Sequence, residues 1–466
     1  DYYAFKEIKI HSSGSRDPDA DGIEGASASK MRQHAIDGEY IEFAKGLPTE
    51  MKDAHKQELY QDVRHGLGLQ EGLTFSGFVT LLNEAEGKSP ASGKLLHLPH
   101  IEDHVIDNGA AGYRHALSAL ISQHHKMQGK TSQTHTTTKF DGSPSIVFGH
   151  DPQTGKFFVG TKAVFNKKPK LNFTKQDIEA NHGHSPGLVE KLTAALQHLP
   201  KVAPKTGVYQ GDVMYTKGDV TDSDDKYSFT PNTLTYSTSK ASEHGAKISK
   251  ADIGLAVHTA YVGDSLNSMK AHSNPDVDSF KTNAAVHLIS VNHTSDPKNY
   301  GTSEQKEFRH HIGEAERAFE STPFEAFDTA KEHKASLNAY INKTVKSNEK
   351  PTPEGFKRHV IESHDKEIGK VKMDATKTKR TAAKDAAVAA ADKNASHLTK
   401  VLKIHHHLQA AKNVLVNTMS KHGDFETSIN GQKAKPEGYV STYKDNASKL
   451  VDRSEFSAAN FAKNRG

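Results

Sequence analysis

The chain has 466 residues, 61 basic and 57 acidic for a net charge of +4, a hydrophobic share of 34%, a mean hydropathy of −0.70, no tryptophan and no cysteine. The missing cysteines exclude disulfides, thiolate-bound zinc and thiol catalysis, and no apolar run is long enough for a membrane-spanning helix. A near-balance of charge means that any nucleic-acid contact must rest on a local basic face. Length predicts two to four domains, and the polar composition predicts long, solvent-exposed helices. No secretory signal opens the chain, so the sequence implies a cytoplasmic protein, with no membrane partner.

In residues 1–50, Tyr2–Ile10 alternates like a strand and 14–18 form a turn. Ser27, Ser29, Lys30 and Arg32 then open a helix, with Ile36, Tyr40 and Phe43 at helical spacing. Hydroxyls, free helix N–H groups and two cations make a phosphate site there. This stretch resembles the last element of the cytidylyltransferase-like superfamily. The resemblance implies that 1–50 are the tail of a truncated domain whose Rossmann-like half would precede residue 1; the chain opens on Asp rather than Met. Residues 51–133 predict a helical connector, with helices at Met51–Leu69, Phe75–Ala85 and Tyr113–Met127 and a link at Gly87–Pro99.

Residues 134–265 alternate strand-like runs with Gly, Asp, Asn and Pro turns. Strands are expected at Ser145–Gly149, Lys156–Gly160, Gly207–Met214, Thr233–Thr238 and Gly254–Val262, with a helix at Pro186–Leu199. Thr138-Lys139-Phe140-Asp141-Gly142-Ser143 reads as a tight turn joining two strands, with Lys139 at its lip. Residues 266–430 read as a helical block: Ser303–Val345, then about Gly355–Gly423, with Gly423 as C-cap. Leu398, Val401, Leu402, Leu408, Ala411, Leu415 and Met419 mark one buried stripe. A single helix from Lys370 to Lys421 would be about 75 Å long. Within 366–384 seven basic residues face two acidic ones, a net of +5, which makes a backbone-binding face for nucleic acid. His405, His406 and His407 point to different sides of a helix and do not share one ion. Residues 431–466 return to strand-like sequence.

Lys139-x-Asp141-Gly142 resembles the nucleophile motif of the covalent nucleotidyltransferases, the polynucleotide ligases and capping enzymes. Further motifs follow in that family's order. The Gly-Glu strand is similar to Val208–Tyr215, with Asp212 in the place of Glu. The hydrophobic strand beside the adenine is similar to Ile253–Tyr261. The Glu-Gly-x-Val motif matches Glu437-Gly438-Tyr439-Val440, and the closing lysine motif looks like Ser448–Arg453, with Val451 where a second lysine is usual. The resemblance covers about 134–262 and 431–453, and the helical block becomes an insertion, which is allowed where its ends lie close together. The expected fold is therefore α+β: a ligase-type antiparallel β nucleotidyltransferase domain (134–265 and 431–466) interrupted by helices (266–430), after a helical N-terminal region.

The resemblance implies ATP and Mg²⁺ as cofactors and a lysyl–AMP intermediate that seals 5′-phosphate to 3′-hydroxyl ends. Lys139 would be the nucleophile, and Asp141 and Gly142 would position it and the nucleotide. Asp212 and Glu437 would hold ribose and metal, and Lys449 the α-phosphate. Lys162, in Gly-Thr-Lys after a strand, is a further phosphate candidate. A free lysine has a pKa near 10.4, so such a nucleophile must be made neutral by its surroundings. Lys-x-Asp-Gly-Ser is closer to RNA ligases than to DNA ligases, and the chain ends 17 residues after Lys449, without room for an OB domain. The expected partner is RNA rather than DNA, reached through 366–384. The pairing of the two resemblances is similar to large proteins of tailed bacteriophages. The alternatives are a catalytically degenerate ligase-like binding or structural protein, and a guanylyl-transferring capping enzyme.

Overall fold

The computed structural model describes residues 28–48 apart from 38 and 39, positions 51, 56, 59, 60 and 63, and residues 98–453 apart from 274, 348, 422 and 445. The strand expected at Tyr2–Ile10, the helix at Phe75–Ala85, most of Met51–Leu69 and nearly all of the link at Gly87–Pro99 lie outside these residues. The chain divides into two units, residues 1–74 and 75–466. In the first, α1 (Ala28–Asp37) and α2 (Tyr40–Lys45) enclose a small cluster of Ala35, Phe43 and Tyr60. The Phe43 and Tyr60 rings meet edge to face at 5.1 Å.

The second unit is α+β. It opens with α3 (His104–Asp107) and α4 (Gly109–Met127), followed by β1 (Thr134–Lys139), β2 (Ser145–His150) and β3 (Phe157–Gly160). Next come α5 (Lys175–His182), α6 (Pro186–His198), β4 (Val208–Thr216), β5 (Thr221–Asp222), β6 (Lys226–Phe229), β7 (Thr235–Ser239) and α7 (Glu243–Ile248). Then follow β8 (Ile253–Val262), β9 (Lys270–His272) and β10 (Val286–Ile289). The helices α8 (Thr302–Glu320), α9 (Phe324–Glu332), α10 (Lys334–Ser347), α11 (Pro353–Gly369), α12 (Asp374–Lys393) and α13 (Ala395–Met419) form one block. The chain closes with β11 (Glu426–Ile429), β12 (Gln432–Lys433), β13 (Gly438–Tyr443) and β14 (Asn446–Leu450).

These strands make three sheets, in the orders β1-β13-β14, β10-β8-β4-β2-β3 with β9 on β8, and β12-β11-β7-β6-β5. Among the described residues the strand pairs are antiparallel except β10 with β8. Both faces of the central sheet are covered at β2 and β3, so successive residues in these strands are buried rather than alternating. Ile146 and Phe148 pack with Leu192 and Ala195 of α6, while Val147 between them packs with Phe158, Phe165 and Tyr261 on the other face. Each such buried side chain stabilises the fold by about 1.5–3 kcal/mol relative to exposure. A third cluster of Phe140, Met214, Tyr215, Phe229, Leu234 and Tyr236 draws on both the central and the five-stranded sheet.

Three expectations are corrected. β1 and β2 do not pair with each other: the Lys139–Ser145 segment crosses between two sheets, because β1 is taken by β13. The helical part expected from about Gly355 to Gly423 is three helices, interrupted at Lys370–Met373 and at Asn394, so the single helix expected from Lys370 to Lys421 is two, and α13 ends on Ser420 rather than at Gly423. Ser420 N–H bonds the Val416 carbonyl at 2.9 Å, which closes the last turn there. The stripe from Leu398 to Met419 is buried as expected. The helical block is narrower than 266–430, since β9 and β10 precede it and β11 follows it.

The two ends of the helical block meet. Before it, the Val291 carbonyl accepts the Thr138 N–H at 2.6 Å on one side of β1. After it, β13 pairs along the other side of β1, and the His293 and Tyr439 rings lie 4.6 Å apart.

Candidate active site

Lys139 is the last residue of β1, and its neighbours in sequence are both anchored. The Phe140 ring is buried 5.8 Å from Tyr236. Asp141 is buried, and its N–H donates to the Tyr236 hydroxyl at 2.7 Å. Its carboxylate accepts from the Asn232 amide at 2.7 Å and from the Thr233 and Leu234 N–H groups at 2.7 and 2.9 Å. Asp141 thus holds the turn to the loop before β7, and acts on Lys139 through the backbone. Gly142 packs against Asp212: a Cβ there would lie 2.5 Å from the Asp212 Cβ. The segment then joins β4 through Ser143 N–H to Val213 O at 3.1 Å and Val213 N–H to Pro144 O at 3.0 Å.

Opposite Lys139 in the register is Gly438, so Glu437 stands just beyond the end of β13. Gly438 has φ +142, and a Cβ there would come 2.5 Å from the Leu450 carbonyl, which explains glycine after Glu437. Lys139 Nζ and Glu437 Oε1 are 2.5 Å apart, with the Glu437 side chain 13% exposed. Burial pushes the Glu437 carboxyl up, and the charges of Asp141 and Asp212 add to that, against the opposing pull of Lys139. Lys449 pairs with Val440 from the next strand. Burial, with the Lys139 charge second, lowers its ammonium to about 8, while Glu437 acts the other way. Four of the expected residues (Lys139, Asp212, Glu437 and Lys449) therefore share one electrostatic neighbourhood.

Asp212 enters from β4, level with Ser145 of β2 and Ala256 of β8. Its Oδ1 lies 3.4 Å from His258 Nε2, and His258 Nδ1 contacts the Thr259 hydroxyl at 2.8 Å. His258 was legible only as one polar position in an apolar strand. Lys162 stands apart from this group: it is exposed, in the short helical turn Lys162–Phe165 that Thr161 caps.

A family model described as a family of unknown function, DUF6267, matches residues 96–465, more than half of the chain. The chain belongs to this family. No curated protein and no solved structure matches it. Every candidate residue of the ligase-like site lies in the DUF6267 region, whereas the phosphate site expected at Ser27, Ser29, Lys30 and Arg32 lies outside it.

The DUF6267 region also contains a buried charge network beside the site. Lys412 Nζ of α13 and Glu102 Oε1 meet at 2.7 Å with both side chains fully buried. Arg453 contacts the Asp103 carboxylate, and its Nε lies 3.7 Å from Glu102. His405 Nε2 bonds Asp103 Oδ1 at 3.0 Å. Burial alone would raise the Glu102 carboxyl, but Lys412 and Arg453 outweigh it and hold it at about 2. Glu102, Asp103 and His405 have a metal-like spacing, within 4.8 Å, but two cations already compensate those carboxylates. The network ties α13 to the end of β14, and the Lys449 N–H bonds the Pro99 carbonyl at 2.8 Å. None of it carried a sequence signal beyond two adjacent acids.

No helix among the described residues is long and apolar enough to cross a membrane. In 366–384, Lys370, Lys377, Arg380 and Lys384 are engaged with Glu367, Asp374, Glu367 and Asp365. Much of that expected basic face is internally neutralised.

Proposed function

We propose that the chain is an ATP-dependent RNA-ligase-like nucleotidyltransferase. The observation that carries this reading is the meeting of Lys139, Glu437 and Lys449 at one three-stranded sheet, with Glu437 at the end of β13. The Lys139 Nζ attacks the α-phosphorus of ATP, the N–P bond forms, and the P–O bond to pyrophosphate breaks. The proton leaving Nζ has an acceptor 2.5 Å away in the Glu437 carboxylate, whose raised proton affinity suits that role. Lys449 offsets charge on the α-phosphate, and stabilisation of developing charge in a partly buried site is worth more than in water. AMP then passes to a 5′-phosphate end, and a 3′-hydroxyl displaces it.

Asp212 and Glu437 are carboxylates, the hard oxygen donors that Mg²⁺ prefers. When bound, Mg²⁺ would supply positive charge against the triphosphate. Asp212, one methylene shorter than the usual Glu, is extended by His258 at 3.4 Å, and the pair offers both an acceptor and a ring nitrogen to the ribose.

The test is incubation of purified protein with α-labelled ATP or GTP and Mg²⁺. Transfer of label from ATP, abolished in Lys139→Ala, supports the reading; GTP-only labelling would favour a capping enzyme. A wild type unlabelled across pH 6–9 overturns it and favours a degenerate ligase-like binding protein. One observation supports that second reading: Val451, in the place of a usual lysine, is buried.

A further inference from the structure

The loop after β3 is a less neutralised positive surface than the helices at 366–384. Residues 161–175 contain Lys162, Lys167, Lys168, Lys170 and Lys175 and no acidic residue. All five are exposed, and among the described residues no ion pair reaches any of them. In 366–384, four of seven cations are paired within the helices. A free cation can release counterions from a polyanion; one already paired with a carboxylate loses part of that gain.

The loop is also held in shape from beneath. Val164 and Phe165 are buried, the latter with its ring 4.5 Å from Tyr261. Asn172 is fully buried, its side chain donates to the Val159 carbonyl at 2.8 Å, and its backbone exchanges two hydrogen bonds with Val159. The Lys170 N–H bonds the Ala163 carbonyl at 3.1 Å, and Pro169 stiffens the chain between Lys168 and Lys170. The backbone ordering that binding would otherwise require is already in place.

Its position fits the site. Gly160 at the end of β3 pairs with Val147 of β2, and β2 begins at Ser145, which pairs with Asp212. The chain therefore leaves β3 at the end of the sheet that carries Asp212 and the Lys139 turn. Two strand spacings separate β3 from β4, roughly 10 Å.

We infer that the loop 161–175 is the surface that grips the phosphodiester backbone of single-stranded RNA. This deepens the ligase reading, on which its choice of RNA rests. Phe165 faces the core, so the loop offers charge rather than a stacking platform. Binding through it is sequence-tolerant and strongly salt-dependent.

The test measures anisotropy of a labelled single-stranded RNA oligonucleotide, and of DNA of the same sequence, over a NaCl titration without ATP. Wild type is compared with Lys167→Ala/Lys168→Ala/Lys170→Ala and with Lys366→Ala/Lys372→Ala/Lys379→Ala; thermal melts verify folding. The loop variant is expected to bind RNA at least ~10-fold more weakly at low salt. Its slope of log K against log salt should fall by about 2, at about 0.7 per phosphate neutralised by a lysine. The helix variant should bind like wild type. Wild-type affinity in the loop variant, loss confined to the helix variant, preference for DNA, or no binding by wild type overturns the inference. Because ATP is absent, the two failures separate. A chain that binds through the loop but never takes label from ATP loses only the ligase reading. One that takes label but binds independently of the loop loses only this inference.

Discussion

Lys139 Nζ lies 2.5 Å from Glu437 Oε1, although every helix of the block from α8 to α13 separates the two in sequence. The register of β1 on β13 fixes this contact. Glu437→Gln keeps an acceptor beside Nζ and removes its charge, so labelling by ATP should slow by roughly 10²-fold. The fold should not lose stability, because the buried carboxyl resists ionisation. Its folded pKa is raised, so between 4.5 and that value the folded state binds the extra proton. Stability from this group is therefore present at low pH and is lost as pH rises through the window. Labelling runs the opposite way, falling as Glu437 protonates; a wild-type acid limb that persists unchanged in Glu437→Gln would refute the assignment.

Lys449 carries a cost that the proposed role at the α-phosphate would explain. Its ammonium is held at about 8 in the fold, against about 10.4 in an unfolded chain. Between these values the unfolded state binds more protons, so the penalty is fully present below about 8 and is relieved as pH rises toward 10.4. Lys449→Met should abolish labelling yet raise stability at pH 7 by about 1 kcal/mol, after allowance for solvent screening of a partly exposed group. Thermal melts at pH 7 and pH 10 measure this: the gain should shrink at the higher pH.

The strands β2 and β8 were legible because each carries an apolar run bounded by turn residues, whereas Glu437 and Lys449 were singled out by a resemblance of short stretches, and the register of β1, β13 and β14 brings both to Lys139. Ser145–Gly149 and Gly254–Val262 were expected to within one residue of β2 and β8. The partners of Asp141 were not legible: Asn232, Thr233 and Leu234 reach it by tertiary folding, and two of these bonds use backbone N–H groups that any residue supplies. The breaks within 370–421 were missed although Gly369 ends α11, because the apolar stripe of α13 was extended backward through a lysine-rich stretch with good helix propensity. His258 was hidden by its strand, where a single histidine does not disturb an apolar pattern.

The Asp212–His258 pair makes a separable prediction. Asp212→Asn removes the carboxylate that Mg²⁺ or ribose would use and should lower the labelling rate by roughly 10–100-fold. His258→Ala leaves that carboxylate in place and should weaken ATP binding more than it slows transfer. Measuring kcat and KM for ATP in both variants separates the roles; equal loss of kcat in the two would mean that His258 acts in the transfer step itself.

Lys412 and Glu102 test what joins the helical block to the site. Both side chains are fully buried, and their 2.7 Å contact is the closest that either makes within the network. Lys412→Ala leaves Glu102 with only Arg453 Nε at 3.7 Å and opens a cavity beside it. The loss should be about 3–5 kcal/mol, because an uncompensated buried carboxylate remains. The double variant Lys412→Met/Glu102→Leu removes both charges at similar volume and should recover most of that stability. Urea denaturation of the three proteins at pH 7 measures it. The carboxylate's contribution is present above its unfolded pKa near 4.5 and is lost as pH falls toward about 2. In Lys412→Ala the larger of the two charges that hold the carboxyl down is gone and burial pushes it up, so Glu102 takes up a proton on acidification and the gap to the double variant should close; a gap that stays constant to pH 3 would mean that packing, not charge, holds α13 to the end of β14.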